Sequence, residues 1–279
     1  MKSLQHATRL LALTLALLLP VAARAQATAA PAAEPAAAAN AGSAPRPQPA
    51  AADTPANVVR AFYKALNERR FREAFALSVY AAAVEGLSAE EFEDLRPDFE
   101  RNAAFVPPSV EVTGEVANGD AASVFIRPID RGEEARSEEV RLIREGGRWI
   151  VGERADLEAV RREGKNFFFR ARVEAHHEEV ERMLGRIAAA QLVHGAQHGG
   201  QFGDLGALVR AGLVPADLLG TDSTGYRFTV MLGKGGRAWA ARAEPERYNR
   251  TGQLSFYSDG SGIQKKDNGG KPLKTSAPK

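Results

Sequence analysis

FFFRARVEAHHEEVERMLGRIAAAQLVHGAQH, from Phe167 to His198, decides the architecture of this chain. Val173, His177, Val180, Leu184, Ile187, Gln191, His194 and His198 recur at threes and fours, which puts them on one stripe of a helix. Met183 and Ala190 widen that stripe, while Arg172, Glu178, Glu179, Arg182 and Arg186 point elsewhere. Glu178 and Arg182 are four apart and can pair; Arg182 and Arg186 repel mildly. No proline interrupts the run, and Gly199-Gly200 follows it, as a helix C-terminus prefers. The spacing predicts one long helix with room for a break at Gly185 or Gly195. It is the spine of a second domain, with Leu184 and Ile187 as core anchors.

The chain has 279 residues, which exceeds one typical core and implies two domains. A net charge of +2 implies no strongly charged partner and no nucleic acid. Lys2 and Arg9 precede a leucine-rich run, Leu10 to Ala23, too short to span a bilayer comfortably. Ala23-Arg24-Ala25 then supplies small residues at a cleavage site. Residues 1–25 therefore read as a secretory signal removed before Gln26, and the expected location is periplasmic or secreted. No transmembrane segment is expected after that cleavage. There is no cysteine, hence no disulfide and no lipid-modified cysteine. Residues 26–53 are almost all Ala and Pro and read as an extended linker. Lys265, Lys266, Lys271, Lys274 and Lys279 lie in a Gly/Pro-rich end, so 265–279 reads as a disordered basic tail.

Residues 54–160 form the first domain. Thr54-Pro55 opens a helix carrying Val58, Val59, Phe62, Tyr63 and Leu66. Phe71, Ala74, Phe75 and Leu77 make a second. Ser88 with Glu91 is a capping box for a third, which contains Phe92, Leu95, Pro97 and Phe99. The period then changes to two: strands at Val110–Val116, Ser123–Pro128, Glu138–Arg144 and Arg148–Gly152, with turns at Asn118-Gly119-Asp120 and Glu145-Gly146-Gly147. Helices followed by an antiparallel sheet make an α+β layer pair. ANVVRAFYKALNERRFREAFALS, LSAEEFEDL and GGRWIVGE, in that order, resemble the nuclear transport factor two-like superfamily. That resemblance implies a cone of helices against a curved antiparallel sheet. It also implies either a small-molecule enzyme or a binding module. Enzymes of that kind use a buried acid or histidine with a tyrosine donor. Tyr63 and Tyr80 are the tyrosines on these helices, and Tyr63 reads as core. Asp94, Asp98 and Asp120 sit in polar settings that would not tune a base. No catalytic residue is assigned.

Residues 167–264 form the second domain. After the spine come a short helix at Leu205–Val209 and strands at Gly225–Leu232, Ala238–Ala243 and Leu254–Tyr257, then a turn into Ile263. IAAAQ (Ile187 to Gln191), GGQFGDLGALVRAGLV (Gly199 to Val214), GYRFTV (Gly225 to Val230), AEP (Ala243 to Pro245) and TGQLSFYSDGSG (Thr251 to Gly262) resemble the globular head of type IV pilins and pseudopilins. This implies a long helix packed on a small antiparallel sheet. The filament-forming apolar half-helix of a pilin is missing, since Phe167-Phe168-Phe169 is too short for it. The head therefore reads as a docking module, with another protein of the bacterial envelope as its partner.

His194 and His198 have the four-residue spacing that can clasp a metal, and Glu181 follows His177 by four. His177 is about 25 Å from His194 along a straight helix, so one site cannot use both. A pair alone is incomplete, and these histidines read as core or boundary residues. No metal, cofactor or catalytic residue is assigned. Asn249-Arg250-Thr251 matches a glycosylation sequon by pattern alone. The expected function is a non-enzymatic binding or assembly protein of the envelope. The alternative is a small-molecule carrier or enzyme with a small apolar ligand in the cone of 54–160.

Overall fold

The computed structural model describes residues 54–129, 137–221 and 224–274. The expected secretory signal (1–25) and linker (26–53) lie outside the described residues. The chain divides into two compact units. Among the described residues, one combines 54–85 with 99–162 and the other combines 86–98 with 163–274.

In the first of these, α1 (Pro55–Asn67) is capped by Thr54, whose hydroxyl accepts the Asn57 N–H at 3.3 Å. Short helices α2 (Phe71–Ala76) and α3 (Ala81–Glu85) follow. Helix α4 (Ala89–Ala103) starts in the other unit and ends in this one. Its capping box forms as the spacing predicts: Ser88 Oγ accepts the Glu91 N–H and Glu91 Oε2 accepts the Ser88 N–H, each at 3.1 Å. Strands β1 (Val110–Asn118), β2 (Ala121–Pro128), β3 (Glu138–Glu145) and β4 (Arg148–Val151) pair antiparallel in chain order. A bulge at Thr113 shifts the β1 register. Gly119, at φ 59°, supplies the left-handed turn residue between β1 and β2. Val124, Ile126, Val140 and Leu142 form the buried face of the sheet, and α1 lies against β1, β2 and β4.

Helix α5 (Arg154–Glu163) and a 3-10 turn (Gly164–Asn166) carry the chain from one unit into the other. Leu157 and Val160 are buried, and Leu157 packs on Val79 and Ile143.

The second unit is built on α6 (Phe167–Gln197), a helix of 31 residues with no break at Gly185 or Gly195. After α7 (Leu205–Arg210), strands β5 (Tyr226–Leu232), β6 (Trp239–Pro245), β7 (Leu254–Ser258) and β8 (Ile263–Asp267) form an antiparallel meander. Val180, Leu184, Ile187 and Ala190 of α6 pack with Tyr226, Phe228, Trp239, Ala241, Ala243 and Phe256 of the sheet. Leu184 and Ile187 are fully buried, as the stripe requires. The described residues are thus α+β: helices with one antiparallel sheet, then a long helix packed on another.

The basic tail begins later than the sequence suggests. Lys265 and Lys266 lie in β8, opposite Phe256 and Ser255. IQKKD carries no apolar alternation, so the signal is absent; the strand is held by backbone pairing, and its lysines suit a sheet edge. Residues 275–279 lie outside the described residues.

Candidate functional site

The core of the unit with the first sheet holds a cluster of aromatic rings. Phe75 meets Phe99 at 4.9 Å between ring centroids, Phe71 meets Phe99 at 5.7 Å, and Phe75 meets Tyr80 at 6.1 Å. Tyr63 is buried, in agreement with its core reading. Burial pushes both the Tyr63 and Tyr80 phenols up, and the nearby carboxylates of Glu138 and Asp156 add to it. Both hydroxyls therefore stay protonated. Asp120 is exposed in the hairpin turn, and Asp94 and Asp98 are taken by arginine.

The other face of the same sheet is covered near β3 and β4, where Leu157 and Val79 bury Ile143, and is exposed near β1 and β2. Val116 is 61% exposed, Phe125 37% and Ile129, just past β2, 57%; Phe125 alternates with buried Val124 and Ile126, and Val116 pairs with Ser123 on the same face as Phe125. A groove of about 380 Å³ adjoins this face, lined by Val116, Ser123, Arg141, Ile143, Glu153 and Arg154 among others. Its charges are compensated. Arg141 donates to Glu153 at 2.9 Å, Ser123 Oγ donates to Glu139 at 2.6 Å, and Arg154 pairs with Glu145. Exposed apolar side chains with paired ions around them make a surface suited to another macromolecule or a small apolar ligand.

In the other unit, Arg172 is the least expected residue. It stands on α6 just after three buried phenylalanines, and its side chain is only 6% exposed. Nε donates to Asp98 at 2.5 Å, Nη1 to Asp94 at 3.3 Å, and Nη2 to the Asp94 carbonyl. Arg247 also donates to Asp94, at 2.8 Å. Arg250 and Lys165 reach Glu91 at 3.0 and 3.3 Å. The Phe169 ring lies under both Arg250 and Arg172, at 4.1 and 5.5 Å. Glu91, Asp94 and Asp98 thus present one face of α4 to four cations. Burial alone would raise the Asp94 carboxyl, but Arg247 and Arg172 outweigh it and hold it below its ordinary range. The Ser88 N–H, then Arg250 and Lys165, lower Glu91. This clamp is structural, and it has a consequence for dissection. A fragment of residues 163–279 leaves Arg172 without its carboxylates, so it should melt earlier in denaturant than the same unit inside the full chain. Equal midpoints would show that the clamp contributes nothing.

The histidines serve as ties. His194 is buried and its Nδ1 meets the Gln201 carbonyl at 3.0 Å. His198, expected on the apolar stripe, is exposed, because the helix ends at Gln197 and His198 is its C-cap. The two rings stack at 3.9 Å and 12°, and His198 Nδ1 meets the His194 carbonyl at 2.8 Å. Gln191, fully buried, exchanges two hydrogen bonds with the Gly203 backbone at 2.7 and 2.9 Å. His177 Nε2 accepts the N–H groups of Gln253 and Leu254 at 3.1 and 3.2 Å. Glu181 pairs with Lys265 at 2.6 Å. Among the described residues no group of three or more histidine or acidic side chains is placed to hold a metal, and no helix is long and apolar enough to cross a membrane.

Sequence reasoning missed Arg172, Arg247, Arg250 and the outward-facing Phe125. Two signals were there. An arginine next to buried phenylalanines implies a buried acidic partner, and Glu91, Asp94 and Asp98 repeat at helical spacing.

No family model matches this chain, and no curated protein matches it. Among solved structures, a candidate NTF2-like transpeptidase from Campylobacter jejuni is similar over 35% of this chain and 95% of that one, at 16% identity and a TM-score of 0.26. Likeness of that degree leaves the functional argument to the residues themselves.

Proposed function

We propose that this protein is an exported, non-enzymatic binding or assembly component of the bacterial cell envelope. The observation that carries the reading is the first sheet. Its inner side is buried through Val124, Ile126, Val140 and Leu142, while the β1–β2 part of its outer side presents Val116 and Phe125 to solvent, with Ile129 just past β2. An exposed apolar face with a polar rim suits a protein partner. The sequence resemblance of 54–160 to nuclear transport factor two-like domains includes non-catalytic modules of this kind. The resemblance of 167–264 to pilin heads supports a docking role for the second unit as well. There Leu192 and Val193 are 72% and 43% exposed on α6. Export rests on the charged and apolar start of the sequence.

The full chain, used as bait in envelope extracts, should capture a partner that Phe125→Ser with Val116→Ser no longer captures, at unchanged melting temperature. If only Leu192→Ser with Val193→Ser loses the partner, docking runs through the second unit and the sheet-face reading falls. A second reading, a small ligand held in the groove of about 380 Å³ on the outer face rather than in the cone, is favoured by that groove. It predicts that a soluble extract fraction shifts the NMR signals of Val116 and Ile143 with no protein captured.

A further inference from the structure

The loop 247–253 between β6 and β7 is held from both sides. From within, Thr251 Oγ1 accepts the Arg247 N–H at 3.0 Å and the Gly252 carbonyl accepts the Asn249 N–H at 2.8 Å. From below, the Tyr226 hydroxyl donates to the Leu254 carbonyl at 2.9 Å and comes so close that a Cβ on Gly252 would sit 2.0 Å from it. From α6, His176 Nδ1 meets the Thr251 carbonyl at 2.7 Å, and His177 Nε2 accepts the Gln253 and Leu254 N–H groups. Outward, Arg247 and Arg250 carry the loop's grip on Asp94 and Glu91.

An imidazole nitrogen that accepts two N–H groups cannot also carry a proton. We propose that 247–253 is an acid-released strap: a proton on His177 Nε2 ejects the two backbone donors, frees the loop, and with it the hold of Arg247 and Arg250 on Asp94 and Glu91.

The surroundings of the ring agree. Its neighbours are His176 and Glu181 from its own helix, Lys265 from β8, the Tyr226 ring of β5 at 6.3 Å and the Phe256 ring of β7 at 5.8 Å. Burial, then His176 and Lys265, push His177 down to about 4 from an ordinary 6.5, with Glu181 opposing. The released ring therefore binds more protons than the strapped ring between these values. The contribution of the tie is fully present above pH 6.5 and is lost as pH falls to about 4. Asp94 and Glu91 are held below their ordinary range, so they keep their charge through most of that window.

Hydrogen exchange of the full chain, corrected for intrinsic rates, tests this. Protection of the Gln253 and Leu254 amides should fall roughly tenfold or more between pH 7 and pH 4. His177→Gln, an acceptor that does not titrate, should hold protection constant. Lys265→Ala removes a repelling cation and should move the loss to higher pH. A pH-independent wild type, or the same loss in His177→Gln, overturns the proposal. So does an NMR titration of the wild-type ring with a midpoint at its ordinary value, a measurement that stands even if the glutamine variant fails to fold.

Discussion

Leu184→Ala should destabilise the unit built on α6 by about 2–5 kcal/mol in denaturant melts. Leu184 has no exposed surface and packs in one cluster with Ile187, Tyr226, Phe228 and Phe256. Truncation removes transfer energy and leaves a cavity between a helix and a sheet that cannot both move inward. A helix of this length draws most of its stability from such packing. Arg182, two residues earlier, is exposed and makes only an i,i+3 pair with Glu179. Arg182→Ala should therefore cost no more than about 0.5 kcal/mol. Equal costs for the two variants would mean that α6 is not held through its apolar stripe.

Arg172→Leu should be nearly as damaging, by about 2–4 kcal/mol, for a different reason. The substitution keeps side-chain bulk against Phe169 but removes the arginine that Asp98 and one side of Asp94 bond. Removing one partner of a buried pair costs about 3–5 kcal/mol. The carboxylates here are 20–25% exposed, and Asp94 keeps Arg247, which reduces the figure. Combining Arg172→Leu with Asp94→Asn and Asp98→Asn should restore part of the loss, since the carboxylate charges that faced Arg172 are then removed with it. If the triple variant is no more stable than the single one, the loss came from packing and not from charge. Acid should act on the wild type in the same sense. Asp94 is held below its ordinary range, so its share of stability is present above that range and is lost as the carboxyl protonates.

Most secondary structure was legible because its signals are local. The stripe from Val173 to Gln191, the Ser88–Glu91 capping box and the period-two strands at Val110 and Tyr226 each depend on neighbours a few residues apart. One local reading misled because charge hides pairing: Lys265-Lys266 look like a tail but occupy an edge strand.

The sequence by itself determined the α+β class, the order of elements and the burial of Leu184 and Ile187, since helix and strand periodicity sort side chains before any tertiary contact exists. Only the tertiary structure decided that residues 86–98 join the unit of α6, that Arg172 finds Asp94 and Asp98, and that His177 is an acceptor for the 247–253 loop. Those pairs lie more than seventy residues apart in the chain. A side chain's spacing specifies its face, but its partner is specified by which distant segment folds onto that face.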